Sequence, residues 1–285
     1  MKTVMAAAAL ALLATTAWAA PKAAKPAVPA AAAIPAGDWR TLDPENVLVI
    51  DTSKGRILVE LQPLAAPGHV ERIKKLTRDR FYDGLKFHRV IDYFMAQTGD
   101  PLGTGEGQSA YPDLKAEFSF RRDATAPYTP VATPSGGVVG FMGSLPIQTQ
   151  PDDLMALTGD KKVWAWGLYC PGVAGMARGE AEDTGNSQFF LMRQPYPSLE
   201  KRYTAWGRVV SGLEVVRALK VGEPVVEPDV MTKVQVLADL PQGQRPTVQV
   251  LDTRSKTFAA LADRVRQERK ADFSLCDIDL PVQVR

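Results

Sequence analysis

The stretch FYDGLKFHRVIDYFMAQTGD, residues 81–100, carries most of the information about the fold, because aromatic residues and glycine are concentrated in it. Further short apolar segments follow it at residues 138–142, 172–176, 187–192 and 204–210, and a helix is predicted at 213–220. Many short strands with few helices are typical of an antiparallel barrel or sandwich. Alternating β and α units are not indicated.

Upstream of this stretch, the sequence predicts a β-hairpin. Two apolar runs, 47–50 and 57–61, flank turn residues at 52–55. In the second run Ile57 and Val59 alternate with other residues, which predicts a half-buried strand.

A helix is predicted after the hairpin. Pro67 suits a first helical turn, and Val70, Ile73 and Leu76 recur at helical spacing. The helix should end near Arg80.

Residues from about 120 to 171 combine proline, glycine and polar residues with little periodicity. Apart from the apolar segment at 138–142, we expect a long insert, and long loops of this kind are usually functional or disordered. Residues 241–285 form a C-terminal extension. It contains an apolar segment at 248–251 and a predicted helix with Phe258, Leu261 and Val265 on one face.

The overall composition excludes some partners. The chain has 285 residues, 45% of them hydrophobic, which suffices for one large domain with extensions or for two small domains. Its 34 basic residues nearly cancel 32 acidic residues, so the net charge of +2 gives no electrostatic reason to expect a nucleic acid or an anionic membrane as partner.

The N-terminus has the pattern of a secretory signal at residues 1–19: a basic start, a short apolar run and a small-x-small site ending at Ala19. The alternative is a membrane anchor, which needs roughly 20 apolar residues. Residues 20–37 are almost entirely Ala, Pro and Lys and predict a flexible leader. We therefore expect a periplasmic or secreted protein without a membrane anchor.

The two cysteines of the chain, Cys170 and Cys276, leave two alternatives open. In an oxidising compartment they can pair if their Cα atoms come close enough, and otherwise they are two unpaired thiols.

The stretch quoted first strongly resembles the central signature of the cyclophilins, in residues 81–91 and 94–100. GMAR at 175–178, SQFF at 187–190 and WGRV at 206–209 agree with this family in order and approximate spacing. The resemblance implies a mainly β fold, an eight-stranded antiparallel barrel closed by two helices. This cyclophilin-like domain would span 38–240, interrupted by the insert.

The resemblance also implies an activity, peptidyl-prolyl cis/trans isomerisation of proline-containing polypeptides, with no cofactor and no metal. Arg89 matches the cation that donates a hydrogen bond to the prolyl region, and its guanidinium offers planar, directed donors. The implied substrate-binding positions are Phe94, Met95, Gln97, Ala177, Arg178, Gln188, Phe190, Leu199 and Tyr203.

These implied positions divide by chemistry. Phe94, Met95 and Phe190 match an apolar pocket for the proline ring, although the residue types alone are more typical of a core. Gln97 and Gln188 match polar positions that bond the substrate backbone.

Three features invite other interpretations. His88 adjoins Arg89 and is the usual kind of proton shuttle, but twisting an amide requires no proton transfer, so a structural role is favoured. The glycines of 103–107 resemble a phosphate-binding loop, but no predicted helix follows them as such a loop requires. His69 and His88 are widely separated without a cysteine or carboxylate cluster, which argues against a zinc site.

The chain departs from the family pattern near the expected site. Arg178 replaces the Asn of many members, Tyr203 replaces a frequent His, and Ser198 stands where Trp or Phe often contacts cyclosporin.

The alternative function is a peptide-binding module or holdase with this fold and little turnover. A hydrolase is disfavoured because no Gly-x-Ser-x-Gly motif is present.

Overall fold

The computed structural model describes residues 34–285, so the predicted signal at Met1–Ala19 and the leader up to residue 33 lie outside the described residues. The described strands are β1 (Trp39–Thr41), β2 (Val47–Thr52), β3 (Gly55–Leu61), β4 (Arg89–Val90), β5 (Met95–Thr98), β6 (Phe120–Arg122), β7 (Tyr128–Ala132), β8 (Val138–Met142), β9 (Leu145–Thr149), β10 (Val163–Gly167), β11 (Val173–Met176), β12 (Phe189–Met192), β13 (Ala205–Ser211), β14 (Met231–Val236), β15 (Val248–Leu251) and β16 (Val282–Val284). The α-helices are α1 (Pro67–Arg78), α2 (Leu213–Ala218) and α3 (Lys256–Arg269). None of these helices is long and apolar enough to cross a membrane.

Eight strands form the main antiparallel sheet, in the order β14-β2-β3-β13-β11-β12-β5-β4. The predicted hairpin is confirmed as β2 and β3, with Thr52 opposite Gly55 at the turn. Isolated bridges from Lys86 to Val230 and from Val90 to Gly222 bring the two edges of the sheet together. The predicted fold class is therefore confirmed: the protein is mainly β, built on an eight-stranded antiparallel sheet that curls on itself.

The interior of the curled sheet is apolar and is covered by α1. Val70, Ile73 and Leu76 of α1 are buried in one cluster with the inward residues of β3, as their spacing predicts. Strand β3 was expected to be half-buried, but both of its faces are buried, because Leu58 on the second face lies in another apolar cluster. The C-terminal part of the chain contributes Val248 to that cluster, so the extension covers the outer face of the strand.

The insert forms a second antiparallel sheet, in the order β6-β10-β9-β8-β7. The expectation of a long irregular loop at 120–171 was wrong, although the apolar segment at 138–142 is confirmed as β8. Pro130 and Pro146 lie inside strands of this sheet, and the register shifts between Pro130 and Ala132. Such interruptions remove the regular alternation on which strand prediction depends.

The C-terminal extension packs against the insert. Strand β15 lies between β1 and β16 in a three-stranded sheet, and the predicted face of α3 is buried. The ring of Phe258 on that helix meets Phe141 of β8 edge to face at 5.7 Å. A disulfide joins Cys170, at the end of the insert, to Cys276, with the Cα atoms 5.0 Å apart. Of the two alternatives left open by the sequence, the pairing is the one found.

Candidate active site

A chain of side-chain hydrogen bonds orients Arg89 on β4, the edge strand of the main sheet. Arg89 Nη1 donates to Gln97 Oε1 at 3.4 Å, and Gln97 Nε2 donates to Gln188 Oε1 at 2.9 Å. Gln188 Nε2 in turn donates to the carbonyl oxygens of Gly105 at 2.9 Å and Gly107 at 2.8 Å. Each amide therefore has a fixed partner, and Gln97 Oε1 offers the guanidinium an acceptor on this face of the sheet.

Strand register explains why these residues meet. Arg89 of β4 lies opposite Gln97 of β5, and Gln97 lies opposite Phe190 of β12. Side chains directly opposite each other on neighbouring antiparallel strands share one face of the sheet. The pairing therefore places the cation, the amide and the aromatic ring in one row across three strands.

An apolar cluster lies beside this row. Its buried members at the site are Met95, Phe190 and Leu199, and Phe94 and Tyr203 pack against it while partly exposed. The Phe190 ring meets the Tyr203 ring edge to face, with centroids 5.9 Å apart. The structure thus brings together all five apolar positions that the family resemblance implied, and we call them the proline-site cluster.

Two aromatic residues that the sequence did not indicate pack against this cluster. Tyr169 stacks against Phe190 with centroids 5.9 Å apart, and Tyr196 lies 4.4 Å from Phe94. Neither lies in a segment that matches the family signature, so the sequence carried no signal for them.

A polar cleft of about 220 Å³ adjoins the row and is lined by Gln97, Ala177, Arg178 and Gln188. The amide of Ala177 donates to the carbonyl of Gln188 at 2.9 Å, which fixes the wall of the cleft. The four polar or small positions implied by the resemblance therefore do share one depression.

Arg178 is less available than the resemblance implied. Its Nε donates to the Arg202 carbonyl at 3.0 Å, and its Nη1 donates to the carbonyls of Gly179 and Glu180, both at 2.9 Å. The guanidinium also lies over the Tyr203 ring, 4.7 Å from its centroid. With these donors engaged, Arg178 shapes the wall and braces Tyr203.

The glycine-rich loop does not form a phosphate cradle. The Asp100 carboxylate accepts hydrogen bonds from the amides of Leu102 at 2.7 Å and Thr104 at 2.8 Å, and from that of Gly105. Burial alone would raise the pKa of Asp100, but these amide hydrogen bonds outweigh it and hold the pKa below its ordinary value. A Cβ atom at Gly107 would come within 1.9 Å of Asp100 Oδ1, so this position needs glycine.

His88 lies under the loop, away from solvent. It is 5% exposed, and neither ring nitrogen has a hydrogen-bond partner within residues 34–285. Burial lowers the pKa of His88, partly opposed by the nearby Asp100 carboxylate. An enclosed ring with a lowered pKa fits the structural role favoured from the sequence.

One acidic residue joins the site from a distant part of the chain. The Glu223 carboxylate accepts a hydrogen bond from Arg89 Nε and forms an ion pair with it. Glu223 lies outside the family signature, and nothing in the sequence pointed to it.

These elements define a class of protein: a curled β-sheet that presents a cation, two amides and an apolar cluster on one face. The family model described as "Cyclophilin type peptidyl-prolyl cis-trans isomerase/CLD" matches residues 47–237. A probable peptidyl-prolyl cis-trans isomerase of Brucella suis is 34% identical over 213 residues, which cover 69% of this chain and 85% of that protein. Peptidyl-prolyl cis-trans isomerase B of Bacillus subtilis is 34% identical over 181 residues, covering 64% and 90% respectively.

A solved structure extends this similarity. The crystal structure of the cyclophilin AquaCyp293 from Hirschia baltica is 36% identical, with a TM-score of 0.80, and the match covers 86% of this chain and 93% of that one. The chain therefore belongs to the cyclophilin-type peptidyl-prolyl cis–trans isomerase family. Its activity is isomerisation of the bond that precedes proline.

Proposed function

We propose that the protein accelerates rotation about X-Pro bonds in exported polypeptides, with Arg89 as the hydrogen-bond donor and the proline-site cluster as the seat of the proline ring. Partial double-bond character opposes this rotation with a barrier of about 18–20 kcal/mol. The uncatalysed step takes about 10–100 s. A site that binds the twisted peptide better than either planar isomer lowers the barrier, and no nucleophile is required.

The observation that carries this proposal is the row formed by Arg89, Gln97 and Phe190. Neighbouring strands lie about 4.8 Å apart, and Arg89 and Phe190 stand two strands apart with Gln97 between them. The long arginine side chain can span this separation and reach a peptide whose proline lies on the aromatic ring. A peptide nitrogen that loses conjugation becomes a better hydrogen-bond acceptor, and a directed donor therefore favours the twisted state.

The test is a protease-coupled isomerisation assay on an Ala-Pro peptide with three variants. Arg89→Ala should lower turnover by about 10²–10³, the typical cost of removing one well-placed donor, and should weaken peptide affinity much less. Arg89→Lys keeps the charge but loses the planar fork, so it should recover only part of the activity. His88→Gln should matter less, and the pH profile should lack a step from this histidine, because twisting the peptide requires no proton transfer.

Circular dichroism of each variant is the control for folding. Near-normal turnover in Arg89→Ala, or a larger loss in His88→Gln than in Arg89→Ala, would overturn these roles. Peptide binding by the unmodified protein without any acceleration would favour the alternative, a binding module or holdase.

We further propose that the protein acts outside the cytoplasm. The signal pattern at residues 1–19 supports export, and the Cys170–Cys276 disulfide supports an oxidising compartment. The expected clients are proline-containing polypeptides in the periplasm or outside the cell. Intact-mass measurement of protein from the periplasmic fraction should give a chain that begins at Ala20, and retention of Met1 would contradict the proposal.

A further inference from the structure

A segment beyond α2 pairs with the edge strand that carries Arg89. The amide of Val90 donates to the Gly222 carbonyl at 2.9 Å, and the amide of Gly222 donates back to the Val90 carbonyl at 2.8 Å. The amide of Val225 donates to the His88 carbonyl at 3.0 Å. In this antiparallel pairing residue 223 lies opposite residue 89, so the backbone itself brings Glu223 beside Arg89.

The carboxylate of Glu223 holds the guanidinium at one edge. Arg89 Nε donates to Glu223 Oε1, while Arg89 Nη1 donates to Gln97 Oε1 at 3.4 Å. Within residues 34–285 the hydrogen bonds of this guanidinium run from Nε and Nη1, which leaves the Nη2 group open. The arginine side chain is 36% exposed, and without these contacts solvent would allow it many rotamers.

We propose that Glu223 is a positioning residue for Arg89: it fixes the guanidinium so that the free Nη2 edge points to the peptide bond being twisted. This inference rests on the role of Arg89 in the proposed function. A long side chain that is already ordered loses less conformational freedom when it meets the transition state. Gln97 alone is a weak anchor at 3.4 Å, so the hydrogen bond to Glu223 supplies most of the orientation.

The test compares substitutions at Glu223 with a matched control on the same segment. Glu227 is also exposed and acidic, but its carboxylate pairs with Lys220 at 3.2 Å, away from Arg89. Glu223→Ala should lower kcat by about three- to tenfold with KM changed less than about twofold. Glu223→Gln keeps an acceptor for Nε–H and should recover most of the rate, and Glu227→Ala should match the unmodified protein.

A double-substitution cycle separates this inference from the proposed function. If Glu223 acts through Arg89, Glu223→Ala should have no further effect on kcat when Arg89→Ala is already present. An equal loss in both backgrounds would overturn the inference, as would an unchanged kcat in Glu223→Ala alone. Both results would leave the role of Arg89 intact. Near-normal turnover in Arg89→Ala would overturn the proposed function together with this inference.

Discussion

The Cys170–Cys276 disulfide is expected to contribute a large share of the protein's stability. The bond joins two cysteines that are 106 residues apart in sequence. Cys170 is fully buried in the apolar cluster that the insert shares with α3, and the neighbouring Leu275 is 3% exposed in the same cluster. Reduction therefore releases the C-terminal extension from the insert only if the surrounding core also loosens.

The magnitude follows from the size of the closed loop. In the chain-entropy description, closing a loop of 106 residues stabilises the folded state by about 5 kcal/mol. Compact unfolded chains reduce this value, so we expect about 3 kcal/mol. Against a total stability of about 5–15 kcal/mol, such a loss should lower Tm by about 6–12 °C.

The assay is thermal unfolding followed by circular dichroism, with and without a phosphine reductant. The double variant Cys170→Ala/Cys276→Ala is the control, because reductant should leave its Tm unchanged. The isomerisation rate of the reduced protein, measured well below Tm, should stay within about twofold, since Arg89, Gln97 and Gln188 are held by the main sheet. Complete reduction without a change in Tm would refute the argument from loop closure.

Three further predictions concern single side chains. Burial raises the pKa of Glu200 from 4.5 to about 7, so the folded state loses stability as pH rises through this range, and Glu200→Gln should flatten the dependence of Tm on pH between about 4.5 and 7. Glu117 accepts hydrogen bonds from the amides of Gly68 and His69 at the start of α1, each at 3.0 Å. These bonds and the His69 side chain lower the pKa of Glu117 despite its burial. The contribution of Glu117 to folding stability is therefore present above its ordinary pKa and is lost as pH falls through the lowered pKa. Glu117→Gln should cost about 1.5–3 kcal/mol in urea unfolding at pH 7. Ser198→Trp should strengthen inhibition by cyclosporin, because burying a large apolar side chain contributes about 1.5–3 kcal/mol.

Each of these has a result that would contradict it. If the Tm of Glu200→Gln changes with pH in the same way as the Tm of the unmodified protein, another group controls stability in this range. Equal urea midpoints for Glu117→Gln and the unmodified protein would show that the negative charge is not needed at the start of α1. Unchanged cyclosporin affinity in Ser198→Trp would mean that access to the site, rather than contact area, limits binding.

Much of the main sheet was predictable from the sequence because its signals are local. Two of these signals are the alternation in 57–61 and the helical spacing of Val70, Ile73 and Leu76. Each involves residues that are only a few positions apart in sequence. The signature in 81–100 also fixed the side chains that β4 and β5 bring into the site. Its residues are close in sequence, so their relative positions follow from strand pairing alone.

The second sheet could not be predicted in the same way. Its strands contain Pro130 and Pro146 and become regular only when neighbouring strands supply hydrogen bonds. Leu58 looked like a solvent-facing residue because the extension that covers it lies almost 200 residues later in the chain.

The sequence by itself determined the many short strands and the first helix through local periodicity, and its resemblance to the cyclophilins indicated which residues would line the candidate site. Only the tertiary structure decided which distant groups meet Arg89 and the start of the first helix. Glu223 meets Arg89 across 134 residues, and Glu117 caps α1 across 49. Such contacts depend on where the chain returns after folding, and a carboxylate that will meet an arginine or a helix end looks the same in sequence as one that remains in solvent.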